Sequence, residues 1–370
     1  MADESYIQLT IEIAKKGEGS VSPNPLVGCV IIKNNRIIGA GYHERYGEAH
    51  AEINAINSSA ESLEGSTLYV NLEPCSHHGK TPPCVERIIK EKIKRVVIGT
   101  LDINPLVSGN GVKVLKKAGI EVKVGVLEKE CIELNKFFFK FITNKLPYVT
   151  IKAAQTLDGM IADKNNYSEW ISSSESRKYV HWLRARYDAV LIGFETARKD
   201  NAKLTVRMVE GRNPYRVVLD SNLRLKSDLN LFKINSDSKT IVIASEKSKS
   251  KLKKINQFEK LGVKVLFAKS DNLGRIKLKS ALKELANLSI SSLIVEGGSK
   301  IYSSFLKHNL YDDIYLFVSP KILGSGLKTF SEIESKKLGD AVKLSINHIQ
   351  KIGDDLLIEL VKSSISSNKF

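Results

Sequence analysis

The stretch Tyr69-Val-Asn-Leu-Glu-Pro-Cys-Ser-His-His-Gly-Lys-Thr-Pro-Pro-Cys84 organises the reading of this 370-residue chain. Some twenty residues upstream lies His50-Ala51-Glu52. Together the two segments supply one imidazole, two thiols and one carboxylate that a single fold could bring to one point. Cys sulfur and His nitrogen are the preferred ligands of tetrahedral zinc, and three protein ligands leave a fourth position open to water. Cys75 and Cys84 each follow a proline, outside any apolar stripe. Cys29, in the apolar run Val27 to Ile32, and Cys131, in a helical stretch, read instead as buried packing. Glu52 sits two residues from His50, close enough to serve the metal site without binding the metal. A structural zinc knot is the competing reading. It needs a fourth protein ligand, from His77 or His78, and it leaves Glu52 without a role.

Outward from this stretch the chain alternates. A helix is expected from Tyr6 to Lys16, a rigid loop over Val21 to Pro25, and a hairpin from Val27 to Ile32 and Arg36 to Gly41. His50 falls where the next helix starts. A strand over Thr67 to Leu72 leads into the Pro-Cys pair. Helices over Val85 to Lys92 and Val112 to Ala118, and strands over Arg95 to Gly99 and Ile120 to Val126, complete an α/β layout with a mostly parallel sheet covered on both faces. Gly109-Asn110-Gly111 lacks the third glycine and preceding strand of a dinucleotide fingerprint. After a helical segment from Glu128 to Phe141, Thr143 to Pro147 reads as a linker, giving domains at 1–145 and 146–370, as the length predicts.

The second half reads as α/β with a mixed sheet. Its strands are expected at Tyr148 to Ala154, Ala189 to Gly193, Arg216 to Asp220, Thr240 to Ala244, Val263 to Ala268, Ser292 to Glu296 and Ile314 to Ser319. Helices are expected at Ser174 to Ala185, Lys277 to Asn287 and Ser299 to His308. The tail from Lys343 to Val361 reads as two antiparallel strands. Glu296-Gly297-Gly298-Ser299 lies between a strand and a helix, where glycines let backbone N–H groups approach a phosphate, although a tight turn accounts for them equally well.

The formal charge of +16 comes mostly from Lys spread along the chain, densest from Lys239 to Lys264. A solvated face explains that run, so no nucleic-acid partner is expected. No stretch of eighteen apolar residues occurs, so no membrane span is expected. The acidic start lacks a signal peptide's apolar core, and four cysteines show no paired framework. A cytoplasmic location is the expectation.

H-x-E upstream of P-C and a second Cys is the pattern of the zinc deaminases, in which the Glu shuttles protons. More specifically, the chain resembles the bifunctional deaminase–reductase family of riboflavin biosynthesis, nearly end to end. The resemblance rests on P-N-P-x-V-G at Pro23 to Gly28, H-A-E at His50, P-C-S-H-x-G-K-T-P-P-C at Pro74 to Cys84, and N-P-x-V-x-G-x-G at Asn104 to Gly111. It continues through K-x-A-x-x-L-D-G at Lys152, W-I-S at Trp170, L-R-A-x-x-D-A at Leu183, L-T-V-R at Leu204 and E-G-G at Glu296. The eight residues between Cys75 and Cys84 separate it from nucleoside and tRNA deaminases, which keep two. Asn201-Ala202 departs from the family's usual Asp-Pro.

The resemblance implies a cytidine-deaminase-like three-layer domain followed by a dihydrofolate-reductase-like domain. It implies hydrolytic deamination of a phosphoribosylamino-diaminopyrimidinone, then NADPH-dependent reduction of the product's ribosyl group. By the same likeness His50, Cys75 and Cys84 hold one Zn2+, and Glu52 is the catalytic shuttle. Asn24, His43, His77 and Lys80 would meet the deaminase substrate, though Lys80 also reads as a plain surface lysine. NADPH falls on Ala154, Trp170, Thr196, Asp200, Ser221, Gly297 and Gly298. The reductase substrate falls on Ser168, Arg184, Leu204, Arg207 and Glu296, with Arg184 alternatively a helix-surface salt bridge and Trp170 alternatively core packing. A homo-oligomer, dimer or tetramer, is expected.

Overall fold

Alternation of apolar residues in a strand sends them to opposite faces, and the strands of the first half exploit this on both sides. The computed structural model describes residues 2–77, 82–104 and 108–363. It divides into two compact units, residues 1–145 and 146–370.

The first unit runs α1 (Asp3–Ala14), β1 (Gly28–Lys33), β2 (Arg36–Tyr42), α2 (Ala51–Asn57), β3 (Thr67–Leu72), α3 (Cys84–Lys90), β4 (Arg95–Thr100), α4 (Asn110–Lys117), β5 (Glu121–Val124), α5 (Glu128–Leu134) and α6 (Lys136–Asn144). Its sheet has the order β2-β1-β3-β4-β5. Cys29, Ile31, Leu68, Val70, Val96 and Ile98 face α2, α3 and α4. Val30, Ile32, Tyr69 and Val97 pack with Ile7 and Ile11 of α1 and Cys131 of α5. The result is a three-layer sandwich, and both Cys29 and Cys131 are core residues as their apolar settings imply.

The sheet is less parallel than the sequence suggests. β1 is antiparallel to both β2 and β3, whereas β3, β4 and β5 run parallel. The hairpin at Asn34-Asn35 reverses the chain, and both residues take positive φ to do so. The expected linker also differs, because Thr143 and Asn144 complete α6 and Lys145 caps it in the left-handed region at φ 53°. The single helical segment expected before it is two helices broken at Asn135. The side chain of Asn135 accepts from Leu26 N (2.7 Å) and donates to Leu26 O (2.9 Å). Asn71 reaches the same loop through Gly28 N and Leu26 O. Two buried amides thus fix the segment that carries Asn24.

The second unit comprises β6 (Tyr148–Thr156), β7 (Met160–Ala162), α7 (Ser174–Arg186), β8 (Ala189–Gly193), α8 (Phe194–Asp200), β9 (Tyr215–Leu219), α9 (Asn230–Lys233), β10 (Thr240–Ser245), α10 (Leu252–Glu259), β11 (Lys264–Ala268), α11 (Leu278–Asn287), β12 (Ser292–Gly297), α12 (Ser299–Lys307), β13 (Asp313–Ser319), β14 (Leu327–Lys328), β15 (Leu344–Ile352) and β16 (Asp355–Lys362). Nine strands form one sheet in the order β11-β10-β9-β8-β12-β6-β13-β16-β15. All pairs from β11 to β13 are parallel, and the terminal hairpin β15–β16 adds antiparallel to β13. Near-continuous burial of β8, β9, β10 and β12 agrees with strands covered on both faces. The strand order jumps repeatedly, so the C-terminal ends of β6, β8, β9 and β12 border crevices where ligands bind in open α/β sheets.

Candidate functional sites: a Cys/His centre and a strand-end crevice

His50 caps the N-terminus of α2 in an extended conformation (ψ 163°), which turns its ring away from the helix. α2 can lie this close to β2 because Gly41 has no Cβ, which would stand 2.4 Å from Ala55 N. Cys84 opens α3 after Pro83, and Cys75 follows β3. These elements bring His50 Nδ1 within 3.5 Å of Cys75 Sγ and 3.3 Å of Cys84 Sγ. The backbone N–H of Cys84 donates to Cys75 Sγ (3.3 Å), which favours the thiolate. All three ligand atoms lie within 4.8 Å of one another. Tetrahedral zinc with bonds near 2.0–2.3 Å needs N–S and S–S separations of roughly 3.5–3.8 Å, so the triplet fits it with small adjustments.

Glu52, 3% exposed, lies one helical step inside α2 from His50. Burial, with the charge on Cys75 second, pushes its carboxyl up to about 7. A hydrogen bond from Cys84 draws Cys75 down to about 4 despite burial, while Cys84 is driven up. The pair therefore shares one proton, and a divalent cation would release it.

A cavity of about 270 Å³ opens over this triplet and includes Asn24, His43, Glu52, Glu73, His77, Asp102, Asn104 and Phe138 in its wall. His43 Nδ1 lies 3.0 Å from Ala49 O, so that nitrogen donates and Nε2 accepts from the Asn24 amide at 3.1 Å. Burial holds His43 below its ordinary range, consistent with a neutral ring. His77 Nδ1 is buried without a hydrogen-bond partner among the described residues. Asn24, His43 and His77 thus share one cavity with His50 and Cys75. Lys80 and His78 lie outside the described residues. Asp102 and Asn104 were not singled out by the sequence, although Asn104 opens the N-P-x-V-x-G-x-G motif.

In the second unit, Glu296 ends β12 and Arg184 lies on α7. Their side chains form a bidentate pair, Nε to Oε1 and Nη2 to Oε2, both 2.7 Å, at 12% and 7% exposure. Burial alone would raise Glu296, but Arg184 outweighs it and keeps the carboxyl below its usual range. Lys152, on β6, is half-buried in the same electrostatic cluster and lowered by its desolvation. Arg184 is therefore no surface salt bridge; its fork is engaged inside the crevice, with Nη1 on Thr205 O as well.

The L-T-V-R segment is held tightly. Leu204 takes φ 54°, Val206 N donates to Asn213 Oδ1, and Arg207 N donates to His181 Nδ1 at 3.0 Å. Arg207 is exposed, and its Nη1 donates to Thr205 Oγ1 (2.7 Å) and, more weakly, to Thr205 O (3.4 Å). Asn201, where the family pattern differs, caps α8 in the left-handed region and is tied to Asn230 by two hydrogen bonds.

Gly297 (φ 141°) and Gly298 approach Thr196 so closely that a Cβ on Gly298 would stand 2.9 Å from Thr196 Oγ1. Ser221 follows β9 and Ala154 lies on β6, so these residues share the C-terminal side of the parallel strands. Ser168 and Asp200 are exposed. Trp170 is 63% exposed with the Arg177 guanidinium 4.3 Å over its ring, which rules out core packing for it.

Each of the two units matches a known family. Residues 1–100 match the cytidine and deoxycytidylate deaminase zinc-binding region, and residues 147–358 match the RibD C-terminal domain. Riboflavin biosynthesis protein RibD of Aquifex aeolicus is 44% identical over 96% of this chain and 97% of its own. A Thermotoga maritima structure described as a diaminohydroxyphosphoribosylaminopyrimidine deaminase/5-amino-6-(5-phosphoribosylamino)uracil reductase superposes with a TM-score of 0.87. It is 42% identical and covers 98% of this chain and 99% of its own. RibD of Acinetobacter baumannii gives 0.88 at 33% identity, with coverage of 98% and 99%. The chain belongs to the RibD family of bifunctional riboflavin-biosynthesis enzymes, a zinc-dependent cytidine-deaminase-like domain joined to a dihydrofolate-reductase-like one.

Proposed function

We propose that residues 1–145 remove the amino group of a phosphoribosylamino-diaminopyrimidinone by hydrolysis, and that residues 146–370 then reduce the ribosyl group of the uracil product to a ribityl chain with NADPH. The observation that carries the first step is one cavity lined by His50, Cys75 and a buried Glu52, with Cys84 closing the ligand triplet beside it. His50, Cys75 and Cys84 hold the zinc, which when bound acidifies water toward neutrality. Glu52 moves one proton of the attacking water to the ring nitrogen, then carries the second, from the hydroxyl now on the carbon, to the departing amine. A C–O bond replaces a C–N bond, and ammonia leaves. Asn24 and His43 orient the pyrimidine and sugar; His77 and Lys80 meet the phosphate.

In the second step the protein chiefly aligns two partners. Ala154, Trp170, Thr196, Asp200, Ser221, Gly297 and Gly298 seat NADPH along the strand ends. Ser168, Leu204 and Arg207 bind the substrate, with Arg207 offering its fork to the phosphate. Arg184 fixes Glu296 so that its carboxylate faces the sugar from a set direction.

The active form is a cytoplasmic homo-oligomer in this reading, a dimer or tetramer. Four free cysteines suit a reducing compartment. Exposed Ile346, Ile349 and Leu356 on the β15–β16 hairpin supply apolar surface for a second copy of the chain. Light scattering across a concentration series that shows only monomer would remove the oligomer.

A chelator tests the division of labour. Stripping zinc should abolish ammonia release yet spare NADPH oxidation when the deaminated uracil compound is supplied. Loss of both activities would show that the zinc serves the whole chain rather than the first site.

A further inference from the structure

Glu73 is a buried carboxylate in the wall of the deaminase cavity, 4% exposed, that the reaction scheme leaves unused. Among the described residues its hydrogen-bond partners are backbone N–H groups. Oε2 accepts from Asp102 N (3.3 Å) and Gly109 N (2.9 Å), and Oε1 accepts from Val112 N (3.2 Å). These donors flank both ends of the segment that follows β4. At the near end Asp102 and Asn104 line the cavity, and Asp102 Oδ1 accepts from Asn104 N at 2.8 Å. At the far end Gly109 and Val112 belong to the start of α4, whose first N–H groups have no partner within the helix.

A second observation shows how closely this clamp is fitted. Gly111 lies so near that a Cβ there would stand 2.2 Å from Pro74 O and 3.1 Å from Glu73 Oε1. Burying an ionised carboxylate is costly unless its lone pairs are filled, and here three amides fill them. A structural cap alone would need only the α4 donors. The bond to Asp102 N reaches the residue that faces the cavity.

We propose that Glu73 is a positioning residue for the deaminase: it ties Asp102 to the start of α4 so that Asp102 and Asn104 are held toward the substrate. The inference rests on the reading of this cavity as the deaminase site. Glu73 touches neither the reacting atoms nor the zinc ligands, so it acts through substrate binding.

The test compares Glu73→Gln and Glu73→Ala in the full-length, zinc-loaded protein. Three readouts are taken: zinc content, steady-state ammonia release from the pyrimidinone, and hydrogen–deuterium exchange of peptides covering 101–112. NADPH oxidation with the deaminated substrate serves as the folding control. Glu73→Ala should raise KM at least tenfold, about 1.4 kcal/mol at 25 °C, with kcat and zinc within about twofold and faster exchange in that peptide. Glu73→Gln keeps one acceptor oxygen and should fall between. Unchanged exchange, or faster exchange with an unchanged KM, would overturn the proposal. So would loss of zinc or kcat at constant KM, since that places Glu73 behind Cys75 instead. Absence of ammonia release from the unaltered protein would remove the deaminase reading itself, and this inference with it. That failure appears before any variant is made.

Discussion

Glu296→Gln is the sharpest perturbation of the reductase crevice. The native carboxylate takes two 2.7 Å hydrogen bonds from Arg184, with both side chains nearly buried. Glutamine keeps one acceptor oxygen, but its NH2 group faces a guanidinium donor. Arg184 and the half-buried Lys152 then lose their counter-charge. Breaking a buried pair by removing one partner costs about 3–5 kcal/mol. The retained hydrogen bond recovers part of this, leaving about 2–4 kcal/mol. Both tryptophans of the chain, Trp170 and Trp182, lie in the second unit, so their fluorescence follows its unfolding alone. The urea midpoint should drop with little change in slope, and NADPH oxidation should collapse while ammonia release persists. Pairing Glu296→Leu with Arg184→Met should recover part of the midpoint without restoring reduction, because an apolar pair replaces the ion pair at little cost while Lys152 still lacks its counter-charge. A Glu296→Gln midpoint equal to that of the native protein would refute the electrostatic argument.

Glu52→Gln should keep zinc and fold while deamination falls about 10²–10⁴-fold, the usual share of a proton shuttle; near-normal ammonia release would end that assignment. Cys75→Ser and Cys84→Ser should each lose zinc, and full occupancy by metal analysis in both would show the ligand set to be wrong. His181 is held down to about 4 by burial and by Arg184 and Arg207, against an ordinary 6.5. The unfolded chain therefore binds its proton first, and this contribution to stability is complete above pH 6.5 and lost as pH falls toward 4. His181→Asn, which retains an acceptor for Arg207 N, should flatten the pH dependence of the second unit's unfolding between those values; an identical profile would contradict it.

The parts legible in the sequence are those fixed by local pattern. β3 spans Thr67–Leu72 as its apolar run implies, and His50 stands at a helix start because the apolar positions begin just after it. The cysteines could be sorted by their neighbours, with Cys29 and Cys131 in apolar runs and Cys75 and Cys84 behind prolines. α10 stayed hidden in the Lys-rich stretch because, of its residues, only Phe258 is buried. Leu252, Ile255 and Phe258 recur at helical spacing there, but over eight residues and amid a run that reads as a solvated face. The antiparallel placement of β1 beside β3 depends on a pairing between distant segments, which no local period reports. The same holds for Glu73 and Lys152. Each looks like an ordinary charged residue until the fold surrounds it with Asp102 and Val112 amides in one case and with Glu296 in the other.

The central claim is that one chain performs two consecutive reactions at separate sites. Anaerobic incubation of the purified protein with the phosphoribosylamino-diaminopyrimidinone, followed by mass analysis, tests it most directly. Without NADPH the product should carry oxygen in place of the amino group, with one ammonia released per turnover. With NADPH the same product should gain a further pair of hydrogens on its sugar carbon chain. A substrate mass unchanged without NADPH, or reduction appearing ahead of deamination, would contradict the account.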